Sequence, residues 1–501
     1  MVFFYLPLFI SVAFVLSVEV YPTVDGPAHL YNSQIIKELL FQNGTPFQTY
    51  YEFNPVVVPN CLDHLILVIL LSIFPMYWVQ KIVLVSLILS QALIFRKIIL
   101  KINPANQLLS VLVLPFIFSA FFHEGFYNQH LSFIILYLYV YWKLCYQGDK
   151  NSLKYYAIHF LFSILVWFSN IVSFVLFVGM VGLEILVKEW KGKTRLVLVI
   201  KQNWKLVLVL LPTLWLTFNF MSNVKMETIE KSISLKDKFI LLSTLDPITI
   251  FDTPGERKFT IPLAIILVVL ALCSSKKSFM ESSILQTIKL STLVVFVAFW
   301  LLPNEAGAGM LSYRFATLFY LMGIIVLASF NYKMSYLLPA VVLISSIHIG
   351  LTFKRHNGTI RNYAKISRDF IEIGKDLPKG ATVWPLAIQP NWFVGHSNNY
   401  VGIHSSIINF ENYEAFNPWF PLRFKEDYKQ ANFLYNELSI KNELVNHHNI
   451  PADYLVLFGI RQENEKEIKK FLEKLNHPVL VSQLKDSSMR LIKLGGNKGN
   501  E

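Results

Sequence analysis

Apolar runs of bilayer length recur along this chain and constrain its fold more than any other feature. A span needs roughly 20 predominantly apolar residues, and runs of about that length occur near 2–20, 77–95, 106–122, 127–145, 204–221, 284–302, 313–330 and 333–352. The stretch 155–187 is too long for one span and breaks at Ser169-Asn170, which predicts a helical hairpin. The run 259–273 is short, but Arg257-Lys258 and Lys276-Lys277 flank it as they would a crossing. In lipid the backbone must satisfy its own hydrogen bonds, so such runs become helices. The expected fold is a polytopic α-helical membrane protein with about eleven transmembrane helices. Only 16% of the 501 residues are charged, against roughly 25% in soluble domains.

Charge then orients the spans. Arg96, Lys97 and Lys101 form one basic loop, Lys188 to Lys205 a second, and Lys276-Lys277 a third. If these face the cytoplasm, the segments holding Asp25, His123-Glu124, residues 222–258 and Asn304 to Tyr313 face outward. The net charge of +12 is explained by those loops and does not indicate nucleic acid. Cys61, Cys145 and Cys273 are too scattered for a disulfide framework or a metal site. Met1 to Val20 lacks a basic start and a small-residue cleavage site, so it reads as a retained span. Leu62 to Phe74, bounded by Pro59 and Pro75, reads as a juxtamembrane or re-entrant helix.

The pattern changes after residue 354. Strand-like runs (Ala381 to Pro385, Tyr454 to Phe458, Val479 to Ser482, Arg490 to Leu494) alternate with amphipathic stretches over Ile360 to Lys375 and Glu463 to Leu475. The expected division is a transmembrane module over 1–352 and a C-terminal soluble α/β domain over 353–501, extracytoplasmic by the charge argument.

The outward segments concentrate polar chemistry. Asp25-Gly26-Pro27-Ala28-His29 follows the first span. Pro27 suits the first turn of a helix, and a helix over Pro27 to Leu40 would place Asp25 at its positive end and His29 on the same face. The plain reading of Asp25 is a helix cap. Further along lie Glu52, Asn54, Asn60, Asp63 and His64. A second outward turn carries His123, Glu124, Asn128, Gln129 and His130, and a third ends in Tyr313-Arg314. Arg314 enters a span and needs an anionic partner; a phosphate would suit its planar fork. No H-E-x-x-H, G-x-S-x-G or Walker pattern is present.

An acidic residue before a Pro-Ala-His helix just past the first span, about eleven spans, and an outward C-terminal domain together resemble the GT-C superfamily of membrane glycosyltransferases. That group includes protein O-mannosyltransferases and the aminoarabinose transferases of lipid A. The resemblance runs over roughly 1–352 and is carried by Val24 to Tyr31. It implies a sugar moved from a polyprenyl-phosphate-linked donor to a glycan, lipid or protein acceptor, at the outer face of a bacterial inner membrane. It maps the catalytic acidic residue onto Asp25, with Glu124 matching a second acidic position that is usually aspartate. On this reading Asp25 is the base of an inverting displacement, and His29 holds it or meets the acceptor. His123, Asn128, His130, Tyr313 and Arg314 bind substrate. A divalent metal, Mg or Mn, is implied if Asp25 and Glu124 converge, whereas a monophosphate donor needs none. The alternatives are a transporter or flippase for lipid-linked sugars, an O-antigen ligase-type protein, and a non-catalytic assembly subunit. Broken spans at matching positions of two halves would mark a transporter, and the chain shows no such symmetry.

Overall fold

The computed structural model describes residues 1–192, 196–224, 232–274, 282–305, 309–389, 391–403, 405–428, 452–475, 477–486 and 488–495. Lys193, Arg195, Lys276, Lys277 and His404 lie outside the described residues. The fold is mostly helical, and the chain divides into two compact units, one of residues 1–17 and 84–359, the other of 18–83 and 360–501. The division therefore does not fall at residue 352 alone: the unit containing the C-terminal strands also takes in the segment after the first span.

Among the described residues, five helices are long and apolar enough to cross a membrane, beginning at Met76, Asn203, Ser283, Leu311 and Met334. In the Asn203–Asn223 helix only 22% of the most apolar stretch is buried inside the protein, and Trp215, Phe218 and Met221 are exposed on it. Exposed apolar surface on that scale marks a lipid-facing helix. Shorter apolar helices include Val2–Leu16 (α1), Leu153–Ser169 and Ile171–Val187, so the hairpin expected within 155–187 turns at Asn170. Its side chain accepts from the Val172 and Ser173 amides and starts the second helix.

Two expectations are corrected. Residues 106–122 do not form one span. They wind as a 3₁₀ segment, Pro104–Val113, followed by short helices Leu114–Ile117 and Ala120–Glu124. Asn106 leaves helical geometry and turns its amide to the Ala328 carbonyl, and Phe118 breaks the path again. The basic loop expected at Arg96 to Lys101 is instead the last part of helix Met76–Ile102, which Asn103-Pro104 then ends. Arg96 is buried there over the Phe4 ring and donates to Ser110.

With no water to compete, small polar side chains tie apolar helices together. In the first unit Ser163 pairs with Thr213 at 2.6 Å, Ser132 with Ser173 at 2.7 Å, and Ser11 with His348 at 2.8 Å. Lys143 and Glu184 form a sealed ion pair at 2.9 Å.

The second unit is built around α2 (Gly26–Phe41), followed by α3 (Phe47–Tyr50) and α4 (Leu62–Leu71). Its main sheet joins five strands in the order β3-β2-β5-β7-β6. These are β2 (Thr382–Ala387), β3 (Ile408–Asn409), β5 (Tyr454–Phe458), β6 (Val479–Gln483) and β7 (Met489–Lys493). β2 runs parallel to β3 and β5, while β7 is antiparallel to β5 and β6. A two-stranded ribbon pairs β1 (Tyr51–Phe53) with β4 (Leu422–Phe424), and its Glu52–Arg423 ion pair lies directly across the strands at 2.8 Å.

α2 is buried along most of its length, and the C-terminal segment saturates its polar groups. Asn32 and Asn412 exchange amide bonds at 2.8 and 2.9 Å. Glu38 accepts from Thr45 at 2.6 Å and from Ser406. The Tyr31 hydroxyl donates to the Ile407 carbonyl at 2.7 Å and accepts from the Asn409 amide at 3.0 Å. Gly402 presses on the Tyr31 ring so closely that an added Cβ would overlap it. Gly402→Ala should therefore displace that ring and cost about 1–3 kcal/mol, the usual penalty of overpacking. A lowered Tm in detergent would register it; an unchanged Tm would mean that the ring relaxes freely.

Candidate functional site

Asp25 occupies the N-cap position of α2, with Pro27 in the first turn, but its carboxylate makes no capping bond. The carboxylate is directed instead toward His396 and Tyr413, which disfavours the simple capping reading. The Asp25 Oδ1 lies 3.8 Å from His396 Nε2, and the opposite ring nitrogen, Nδ1, is 2.8 Å from Glu411 Oε1. Glu411 thereby fixes the orientation of an imidazole whose far nitrogen faces Asp25. The His396 ring also stacks on Tyr413 at 4.2 Å between centroids. The Asp25 and His396 side chains are mostly buried, with 16% and 19% of their surface exposed.

One turn along α2, His29 enters a different environment. Its Nδ1 is 2.7 Å from Glu414 Oε1 and 3.5 Å from Asp63 Oδ2. His64, beside Asp63 in the first turn of α4, puts Nε2 at 2.9 Å from Glu414 Oε2 and Nδ1 at 2.7 Å from Asp63 Oδ1. These four side chains are 1–6% exposed. Two histidines and two carboxylates are thus sealed together next to a partly exposed aspartate.

Burial and charge set the proton affinities. For Asp25, burial raises the carboxyl pKa, and it outweighs the opposing pull of His396 and His29. That makes Asp25 a stronger base than a free aspartate once ionised. Burial would lower His396, but Glu411 and Asp25 overcome it and raise its pKa to about 9. In the sealed group, burial likewise opposes charge on His64, yet Asp63 and Glu414 lift it to about 10. His29 is raised against burial by the same two carboxylates. Burial would raise Asp63 and Glu414; the two imidazoles instead bring Asp63 down to about 2 and lower Glu414.

A raised histidine pKa stabilises the folded state below the unfolded value of roughly 6.5, and that contribution disappears as pH climbs to about 9. His396, faced by Glu411, Asp25 and Glu414, should add one proton's worth of stability loss across that window. Comparing Tm against pH for wild type and His396→Gln isolates it. The variant's curve should fall less steeply between those limits, and parallel curves would show that His396 is not charged there.

The other candidates named from sequence, His123, Glu124, Asn128, His130, Tyr313 and Arg314, all belong to the first unit, whereas Asp25 and His29 belong to the second. Glu124 ends the helix Ala120–Glu124 at a left-handed Gly125 with φ 79°. His123 and His130 are buried among rings: His123 stacks near Phe118 and meets Phe251 edge-on, and His130 meets Phe122. Asn128 is buried in the first turn of the helix Tyr127–Cys145. Tyr313 is partly buried in the first turn of the helix Leu311–Ala328. Arg314 in the same turn bonds Gln129 and the Gly309 carbonyl and lies over the Phe121 and Phe126 rings at 5.6 Å. Arg314 is thus tied to the neighbouring turn through Gln129, a neutral partner.

His396, Glu411 and Glu414 were not assigned from sequence. The stretch Trp384 to Phe420 stood out only for its aromatic residues. No local pattern marked Glu411 and Glu414, which lie in a segment that the structure buries from Ile407 to Ala415.

No family model matches the sequence, and no curated protein resembles it closely enough to register. The fold does have a relative. The crystal structure of ArnT from Cupriavidus metallidurans bound to undecaprenyl phosphate superimposes over 99% of both chains, with a TM-score of 0.53 and 11% sequence identity. At that identity the likeness establishes an architecture shared with ArnT and nothing beyond it.

Proposed function

We propose that this chain is a polyprenyl-phosphate-dependent membrane glycosyltransferase with Asp25 as its general base. The observation that carries the reading is Asp25 itself, a partly buried carboxylate at the start of α2 that does not cap its own helix, in an ArnT-like fold. The ArnT of that structure holds undecaprenyl phosphate, the class of carrier that a GT-C donor would release.

In the reaction, an acceptor hydroxyl attacks the anomeric carbon as the bond to the donor phosphate breaks. The hydroxyl proton passes to Asp25, the sugar inverts, and polyprenyl phosphate departs as an anion. The leaving group needs no proton, so catalysis reduces to a base and positive charge for the phosphate. Arg314 is assigned to the phosphate, with His123, Asn128, His130 and Tyr313 as further substrate contacts and Glu124 as the second acidic position. His29 anchors the turn that carries Asp25. An inner-membrane location and an outward-facing Asp25 and C-terminal α/β domain complete the proposal, supported by the distribution of basic residues.

The test is release of polyprenyl phosphate from labelled lipid-linked sugars by the purified chain with candidate acceptors, run beside Asp25→Asn. Acceptor-dependent turnover confined to wild type supports the reading. Lipid binding without turnover, equal in both proteins, would overturn it in favour of a carrier or assembly role.

A further inference from the structure

We propose that Tyr413 is the positioning residue of Asp25: its hydroxyl holds the carboxylate, its ring seats His396, and the residues on either side of it fasten it to α2. The proposal rests on the transferase reading, in which Asp25 is the base, and adds the residue that aims that base.

The register of α2 comes first. Residues three, four and seven apart share one face of a helix, so Asp25, Ala28, His29 and Asn32 form a single stripe at the start of α2. Asn412, Tyr413 and Glu414 lie along that stripe. Asn412 exchanges amide bonds with Asn32, and Glu414 clasps His29 at 2.7 Å. Tyr413, between them, packs with Ala28 and Phe420. Its backbone is thus pinned on both sides, and its side chain is delivered to the end of the stripe where Asp25 stands.

Tyr413 is 8% exposed. A phenol shut away from water needs a partner, and the Asp25 carboxylate supplies one. An ionised carboxylate can only accept, so the hydroxyl donates. A donor on the carboxylate favours the ionised form, which is the form able to take a proton, and it works against burial, which favours the neutral acid. It also restrains a group whose direction decides whether an acceptor hydroxyl is within its reach.

The ring has a second task. It lies against the face of His396, with centroids 4.2 Å and planes 28° apart, while Glu411 holds the edge of that imidazole at 2.8 Å. Glu411 also accepts from Asn399 at 3.1 Å, and Phe420 braces the Tyr413 ring edge-on at 5.7 Å. One short run of chain therefore sets the direction of both Asp25 and His396.

Tyr413→Phe separates the two tasks, because it keeps the ring and removes the hydroxyl. In the purified full chain, two quantities are followed against pH: the transfer rate, and the infrared carbonyl band of protonated Asp25, identified by its loss in Asp25→Asn. Both midpoints should move to higher pH by about one unit in Tyr413→Phe. The rate on the acid limb then falls about tenfold, while KM for the lipid-linked sugar stays the same. His396, His29 and Glu414 also face Asp25 and are present in both proteins, so the shift reads the hydroxyl alone. A ring-fluorinated tyrosine at 413, a stronger donor of nearly the same shape, should move both midpoints down, and it decides the matter should Tyr413→Phe fail to fold. Phe420→Leu loosens the ring without removing the hydroxyl and should leave both midpoints in place. Midpoints that coincide in wild type and Tyr413→Phe would overturn the positioning role and leave Asp25 as the base. An infrared band that shifts while the rate does not would show that Asp25 is not the base, which overturns that assignment and this role with it.

Discussion

Replacing Asp25 by asparagine is expected to slow sugar transfer by about 10²–10⁴-fold, the usual worth of a positioned general base, while the folded yield stays unchanged. Both halves follow from the geometry. Asparagine has the shape of aspartate but cannot accept the acceptor's proton, and the Asp25 carboxylate makes no capping bond whose loss would weaken α2. The pH dependence sharpens the point. Burial holds the Asp25 pKa above the ordinary aspartate value, so the wild-type rate should rise with pH as this group ionises. It should fall again as His396 loses its proton near pH 9, because the imidazolium facing Asp25 is then neutral. His396→Gln should remove the alkaline limb and keep the acid one. A D25N rate within tenfold of wild type, at matched folded yield, would sink the assignment of the base.

Glu256→Ala should be the most damaging substitution in the first unit, at about 3–5 kcal/mol, the range for stripping a partner from a buried ion pair. Arg355 donates to both Glu256 oxygens, at 3.1 and 2.7 Å, and to the Phe118 carbonyl at 2.8 Å; it also bonds the Ile248 carbonyl. The two side chains are 3% and 1% exposed. Glu256 in turn accepts the Ile250 amide at 2.9 Å. Deleting the carboxylate strands a guanidinium where water cannot reach it. Pairing Glu256→Leu with Arg355→Met should recover most of the loss, since well-packed apolar replacements of buried pairs are often close to neutral. Tm in detergent for the single and double variants measures this. A single-variant loss below about 1 kcal/mol would place the pair in the class of exposed bridges.

The helices were legible because bilayer length and apolar composition act locally. Tyr127–Cys145 begins and ends where the pattern put it, and the hairpin breaks at Asn170. The strand Tyr454–Phe458 was equally clear as a short apolar run. What sequence pattern missed depended on distant contacts. The segment over 104–124 is apolar enough for a span, but Pro104, Asn106 and Phe118 break its path. In the candidate site, Asp25 and His29 announced themselves through one motif, and Asp63 and His64 were counted only among the polar residues of the first outward segment. Glu411 and Glu414 carry no local signal. Their meaning comes from His396 and from the two rings that they face, which no spacing rule relates to them.

The exchanged amide bonds of Asn32 and Asn412 join residues 380 apart in sequence, and this has a consequence for biosynthesis. At the usual 5–20 residues per second, α2 leaves the ribosome about 20–75 s before the segment that completes its surroundings. Until then Asp25 has neither His396 beside it nor the Glu411 that orients that ring. A chain released early, or one still being inserted, therefore carries the base without the groups that tune it. The surroundings of Asp25 are therefore complete only at the end of translation.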